Sequence, residues 1–373
     1  MKGARPLAPT LPRAVPLRAL AQPNMASPHR DRPGAAHREA VERLLRAREP
    51  SLRWKTRVSV LGESEDSSGV RALSEEVRRS ARARRLLAHV RTLGRPGTLR
   101  RVYYKWQGCH WVLANLADLG YPRDDPDLYP ARDRVLDLWL RSSYYHEHDT
   151  QGPIRVGRFG VPRVRGRFRR CASQQGNALY YLTRLGLDDG RCADLSERLR
   201  HWQWPDGGWN CDRNPAADTS SFLETLLPMM GLAARAEVTG SPADRRAADA
   251  ASEVFLRRKL FRRISDDRVI HPRFVRLHYP AYYFYDILAG LRGMVAVGRI
   301  RDPRCSEALD LLESRRRPDG GWSADEALYR YSPGAFVSRG ESVDWGGAGG
   351  ARSNPWVTVD ALSVLAAAGR FSP

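Results

Sequence analysis

The sequence predicts an all-α protein built from repeated helix–loop–helix units, and three observations carry that expectation. A short loop motif occurs twice, as Gln203-Trp204-Pro205-Asp206-Gly207-Gly208-Trp209 and as Arg317-Pro318-Asp319-Gly320-Gly321-Trp322. Each copy follows an amphipathic Arg/Leu-rich run and precedes, after a loop, a second apolar run. Gly120, Gly186, Gly298 and Gly369 close apolar runs as helix C-caps do, while Asp, Ser or Thr stands before most of the starts. Within the motif, proline stops a helix, Asp-Gly-Gly forms a tight turn that accepts positive φ, and tryptophan offers a large apolar body with one donor.

The elements follow in order. Residues 1–35 are rich in Pro, Arg and Ala with no apolar period, which predicts a disordered basic tail that lacks the apolar core of a secretory signal, and Met25 is a candidate start. A helix is expected over 36–48 and a short one near Leu52–Leu61. Outer helices are then expected at 70–91, 126–141, 191–203, 242–262 and 303–316, each followed by an inner partner at 102–119, 171–185, 219–238, 278–297 and 355–368. Residues 36–373 read as one helical domain.

Composition narrows the class. The longest apolar stretches, near 226–234 and 286–298, are broken by Pro, Gly or Arg and fall short of the roughly 20 residues a membrane helix needs. Five scattered cysteines, Cys109, Cys171, Cys192, Cys211 and Cys305, form no Cys-x-x-Cys pair, which predicts reduced thiols and a cytoplasmic setting, with peripheral membrane contact left open. The net charge of +20 comes almost wholly from dispersed arginine, since lysine occurs only at Lys2, Lys55, Lys105 and Lys259. Dispersed arginine without a binding motif argues against a nucleic-acid partner. Nothing points to a partner chain.

The two motif copies resemble the QW repeat of the terpenoid cyclase and protein prenyltransferase superfamily, the second copy lacking the glutamine. The resemblance implies an α/α toroid, with inner helices around a central cavity and an outer ring behind them. It also implies that chemistry gathers where the inner helices begin, around the cavity mouth. Those positions here carry Tyr103-Tyr104-Lys105-Trp106 with His110; Cys171, Gln174 and Asn177; Ser220, Ser221 and Glu224; His278, Tyr279, Tyr282 and Asp286; and Asp344-Trp345.

Helical spacing would put Ser220 with Glu224, and Tyr282 with Asp286, on shared faces. A carboxylate on an inner helix costs several kcal/mol unless paired, so Glu224 and Asp286 are the leading catalytic candidates, with Tyr282 and His110 beside them. Both carboxylates are expected to face one common cavity; their structural alternative is a buried pair with Arg or Tyr. Trp106, Lys105, Cys171, Asn177, His278, Tyr279 and Trp345 are the expected substrate-binding set. The rings of Trp106, Tyr279, Tyr282, Trp209 and Trp345 could steady a carbocation through their negative faces.

The resemblance implies two chemistries, and the chain departs from both. Squalene-type cyclases protonate an alkene with an Asp-x-Asp-Asp motif. The nearest stretch here is Asp124-Asp125-Pro126-Asp127, whose position before a helix predicts a capping role. Zinc prenyltransferases open an inner helix with Asp-x-Cys and supply a histidine from a later one. This chain has Asp218-Thr219-Ser220, and Tyr282 or Tyr283 at the later position, so no tightly held zinc and no cofactor are expected. A rearranged set of Cys211, Asp212 and His278 is the alternative.

The tract Arg155–Arg170, with Arg155, Arg158, Arg163, Arg165, Arg167, Arg169 and Arg170, reads as a diphosphate-binding loop or, in preference, as a solvated β-hairpin. The functional expectation is a toroid that binds or converts an isoprenoid-like apolar molecule. A non-catalytic lipid-binding or scaffold toroid is the rival, and convergence of the polar residues at the mouth separates the two.

Overall fold

The computed structural model describes residues 33–93, 102–150, 160–334, 337–350 and 352–372. The disordered tail expected over 1–35 lies outside these residues except for its last three, which begin α1. The chain is mostly helical: α1 (Pro33–Leu45), α2 (Pro50–Lys55) running into a π-helical turn (Thr56–Val60), α3 (Ser68–Arg79), α4 (Ala81–Leu93), α5 (Cys109–Leu119), α6 (Tyr129–Leu140), α7 (Ala172–Arg184), α8 (Arg191–His201), α9 (Phe222–Thr239), α10 (Pro242–Leu256), α11 (Ile287–Ala296), α12 (Ser306–Ser314) and α13 (Pro355–Ala367). Among the described residues no helix is long and apolar enough to cross a membrane.

One set of helices packs in succession. α5 packs on α7, α7 on α9, α9 on α11 and α11 on α13; α13 returns to the π turn and α2, and α2 touches α5. A second set backs them, with α3 on α2, α4 and α6 on α5, α8 on α7, α10 on α9, α12 on α11 and α1 on α13. The tightest crossing joins α7 and α9, where a Cβ on Gly176 would lie 2.3 Å from the Pro228 nitrogen, and one on Gly231 would lie 2.5 Å from the Gly176 oxygen. Only glycine lets the two backbones approach this closely.

The repeated motif does the same work twice. Trp209 and Trp322 are fully buried. Trp209 donates its Nε1–H to the Leu199 carbonyl at the end of α8 (2.9 Å), and its backbone N–H donates to Thr225 Oγ1 in α9 (3.2 Å). Trp322 repeats this with the Leu312 carbonyl of α12 (2.7 Å) and Thr358 Oγ1 of α13 (3.0 Å). Asp206 accepts from the Ser220 hydroxyl (2.6 Å), as Asp319 does from the Ser353 hydroxyl (2.6 Å). Gln203, present only in the first copy, donates to Gly207 O and to Ala247 O of α10 (2.6 and 2.8 Å). Each motif therefore rivets the end of one helix to a second, α8 to α9 and α12 to α13.

Several boundaries differ from expectation. The segment 70–91 is two helices, because Ser80 leaves the helical region (ψ 151) and its hydroxyl accepts from Ala83 N to start α4. The inner helix expected from 102 starts at Cys109: residues 105 and 106 are drawn off by the loop at 339–340, through Arg339 N–H to Lys105 O and Trp106 N–H to Gly340 O. The helix expected from 278 starts at Ile287, with Asp286 as its N-cap accepting from Ala289 N (2.7 Å). Pro280 and the positive φ of Tyr282 hold the preceding residues out of the helix.

The basic tract is a hairpin, as preferred: Val161–Val164 pairs antiparallel with Arg167–Phe168 around Arg165-Gly166, both at positive φ. Arg155 and Arg158 lie outside the described residues. Asp125 caps the short turn before α6, accepting from Asp127 N, Tyr121 Oη and Arg78, which gives that acidic run the capping role expected of it.

Candidate functional site

Where α5, α7, α9 and α11 converge lies a narrow, partly open cleft. Its walls come from Trp111, Ala114, Asn115 and Asp118 of α5, Asn177 and Tyr180 of α7, Leu226, Leu227 and Met230 of α9, residues 279–282 and Phe284, and Ala289 and Arg292 of α11. The lining is mostly apolar and aromatic because α5, α9 and α11 present their apolar faces inward, and the turn at Pro280 adds Tyr279, Tyr282 and Phe284.

Behind this wall stands an aromatic stack. Trp106 lies flat against Tyr282 at 3.8 Å between centroids, and Trp111 meets Trp106 edge-on at 4.7 Å. Lys105 donates to Tyr283 Oη (2.7 Å) and sits over that ring. Tyr279 lines the cleft with Trp345 packed edge-on behind it. Of the five rings expected to face a carbocation, Tyr279 and Tyr282 therefore line the cleft, Trp106 and Trp345 back them, and Trp209 is committed to its helix junction.

Polar groups meet the cleft at two places. At one, the Tyr282 hydroxyl donates to Glu341 Oε2 (2.7 Å), joined by Asn115 Nδ2 (3.4 Å), while Val343 N–H donates to Oε1 (3.2 Å). Glu341 is fully buried, and burial pushes its carboxyl up despite these donors. At the other, Asp118 and Asp360 are held between two cations. Lys55 bridges both carboxylates (2.8 Å each), Arg292 does the same (2.6 and 2.9 Å), and Tyr279 Oη donates to Asp118 (2.6 Å). Burial opposes ionisation of Asp118, but Lys55 and Arg292 outweigh it and hold the carboxyl well below its usual range.

The expected catalytic set does not converge. Asp286, besides capping α11, accepts from His278 N (3.0 Å) and pairs with His278 Nδ1 (2.7 Å). Burial disfavours the charged imidazole there, yet the Asp286 carboxylate prevails and raises its pKa. Glu224 lies one turn into α9 and instead meets Ser173 N (3.0 Å) and Cys211 Sγ (3.2 Å). Neither carboxylate lines the cleft, so the common-cavity expectation is corrected. The shared faces fail as well: Ser220 precedes the N-cap of α9 and binds Asp206, and Tyr282 lies outside α11.

His110 is sealed from solvent, and burial lowers its pKa to about 3. Trp139 Nε1–H donates to Nδ1 (3.3 Å), the Tyr181 hydroxyl lies 3.0 Å from the same nitrogen, and Asn177 Nδ2 lies 3.2 Å from Nε2. It is a neutral hydrogen-bond hub rather than a proton carrier. Asn177 thus serves both the cleft wall and this hub.

Cys171, the N-cap of α7, lies with Cys211 and Glu224, their ligand atoms all within 4.8 Å. The alternative set of Cys211, Asp212 and His278 is not assembled. Asp212 caps its own loop by accepting from Asn214 N, and His278 is paired with Asp286.

Sequence reasoning missed Glu341, Asp118, Asp360 and Arg292. The last three were within its reach, since a charge inside an apolar inner helix was the very signal that selected Glu224. Glu341 sits in the Gly-rich loop, where no local pattern distinguishes it from a surface charge. Comparison of the sequence with known protein families and with curated proteins gives no match.

Proposed function

We propose that this chain is an α/α toroid of the terpenoid cyclase and protein prenyltransferase type that binds an isoprenoid-like apolar molecule in its central cleft. The pairwise packing, from α2 through α5, α7, α9, α11 and α13 and back, fits a closed inner ring with its outer partners. The twin motif geometry at Trp209 and Trp322 fits repeat units of one kind. The observation that carries the ligand class is the cleft wall: aromatic and aliphatic side chains make up most of it, with Asn115, Asp118, Asn177 and Arg292 as its amide and charged members. An unbranched polar ligand would leave its hydrogen-bonding groups unmet along such a wall, whereas a methyl-branched hydrocarbon would not.

Conversion of that ligand is a second reading, favoured by the buried Glu341 beside Tyr282 at the cleft. A carboxyl whose pKa is raised is a weak acid, so it suits general acid or base chemistry near neutral pH better than protonation of an unactivated alkene.

The test is a titration with polyprenyl diphosphates of increasing length and with squalene, read by tryptophan fluorescence since Trp111 lines the cleft. Saturable quenching is expected, lost on filling the space with Ala114→Trp while the melting temperature holds. Absence of saturable binding at every chain length would overturn the reading. Mass spectrometry of the same mixtures, with Glu341→Gln as control, decides between binding and conversion.

A further inference from the structure

Three segments meet at the start of α7, and their backbones are tied before any side chain is considered. Arg169 forms an isolated parallel bridge with Asn210, and Arg170 N–H donates to Asn210 O (3.2 Å), so the residues that follow, Cys171 and Cys211, leave this bridge side by side. Ser221 N–H donates to Trp209 O (2.9 Å), which locks the first turn of α9, and hence Glu224, to the same loop. Trp209 itself is riveted to α8 and α9 by the motif. The result is two thiols and a carboxylate whose ligand atoms all lie within 4.8 Å, each half-buried.

We propose that Cys171, Cys211 and Glu224 form a binding site for one thiophilic divalent cation, Zn²⁺ first. Thiolates select zinc over magnesium or calcium. Zinc–sulfur bonds of about 2.3 Å at tetrahedral angles put two sulfurs about 3.8 Å apart, within reach of the spacing found here. Glu224 is already aimed: Ser173 N–H holds Oε2 at 3.0 Å, leaving Oε1 beside Cys211 Sγ at 3.2 Å. Such an outer hydrogen bond is what orients a carboxylate ligand and fixes its geometry. Cys171 stands at the N-cap of α7.

Among the described residues the set has three ligands, which leaves a fourth coordination position for water or a small ligand, the pattern of reactive rather than purely structural zinc sites. Binding exchanges protons for metal: Zn²⁺ takes the two sulfurs as thiolates and one carboxylate oxygen. Two thiol protons are released, and a third wherever Glu224 is protonated. The ligand set differs from that implied by the family resemblance, where Ser220 and the Tyr282–Tyr283 position would have had to serve. The site does not depend on what occupies the cleft.

The full chain, purified without chelators and dialysed, is assayed for metal by mass spectrometry, and the apoprotein is then titrated with Co²⁺. About one zinc per chain is expected. The cobalt form should show tetrahedral d–d bands and a thiolate charge-transfer band that falls by about half in Cys171→Ser and in Cys211→Ser. Glu224→Gln should weaken zinc binding at least tenfold with the charge-transfer band retained. Cys305→Ser, remote and buried, should change nothing. The proposal is overturned if the wild-type chain, shown folded by circular dichroism, gives neither bound zinc nor a cobalt spectrum. It is equally overturned if the metal content is unchanged in both cysteine variants, or if alkylation shows a Cys171–Cys211 disulfide in place of metal. The cobalt spectrum of the wild type keeps the test decisive even where a variant folds poorly.

Discussion

His110 and His278 are both sealed from solvent, yet their surroundings push them in opposite directions. His110 meets only neutral partners, so its neutral form is held down to about pH 3. An unfolded chain takes up this proton below about pH 6.5, and stability is therefore lost progressively as pH falls from that value. Between pH 7 and 4.5 the loss from this group is expected to be roughly 2–3 kcal/mol. Urea midpoints across that range should decline more steeply in the wild type than in His110→Gln; parallel slopes would contradict the assignment.

His278 has the reverse sign. Burial opposes its charge, but Asp286 raises its pKa, so its contribution is full below the ordinary imidazole value and fades as pH rises through the folded one. Asp286→Asn keeps a side-chain cap for α11 but removes the carboxylate that holds the imidazolium, so it should abolish that alkaline decline. Stability profiles of this variant above pH 6.5 measure it.

At the scale of elements, the motif tryptophans are joints. Trp209→Ala empties a fully buried ring site and removes the bond to Leu199, with an expected cost of roughly 3–5 kcal/mol. Trp209→Phe retains most of the packing and should cost about 1–3 kcal/mol, the desolvation of the Leu199 carbonyl left without its donor. Thermal and urea unfolding measure both, and an unchanged midpoint in Trp209→Ala would mean that the loop does not join α8 to α9. The first copy should be the stronger joint, because Gln203 adds two bonds, one of them to α10.

Across the whole molecule, the Lys55–Asp118–Arg292–Asp360 cluster connects α2, α5, α11 and α13, and so links early and late segments of the chain. Lys55→Met leaves the buried Asp360 and the half-buried Asp118 with Arg292 as their remaining cation, and breaking a buried pair in this way costs up to roughly 3–5 kcal/mol. Asp118 is held below its usual pKa, so its share of stability is present above the ordinary carboxylate range and is lost as pH falls through the depressed folded value. The urea midpoint of Lys55→Met at pH 7 should fall accordingly, and a near-neutral effect would show that the cluster is not holding these helices together.

The sequence by itself determined what depends on near neighbours. The helical class and the paired Pro-Asp-Gly-Gly-Trp turns were legible, because helix periodicity, capping and tight turns are set within a few residues. It also pointed to the right stretch of chain for Tyr279, Tyr282 and Asn177 at the cleft. Only the tertiary structure decided where α5 begins, since residues 105 and 106 are claimed by the loop at 339–340, far along the chain. It likewise decided which charges face one another. Glu224 and Asp286 looked alike as carboxylates near inner-helix starts, yet one was drawn to two thiols and the other to a histidine. A side chain's periodicity tells which face it occupies, but the partner waiting on that face comes from another helix, and burial makes that partner decide the chemistry.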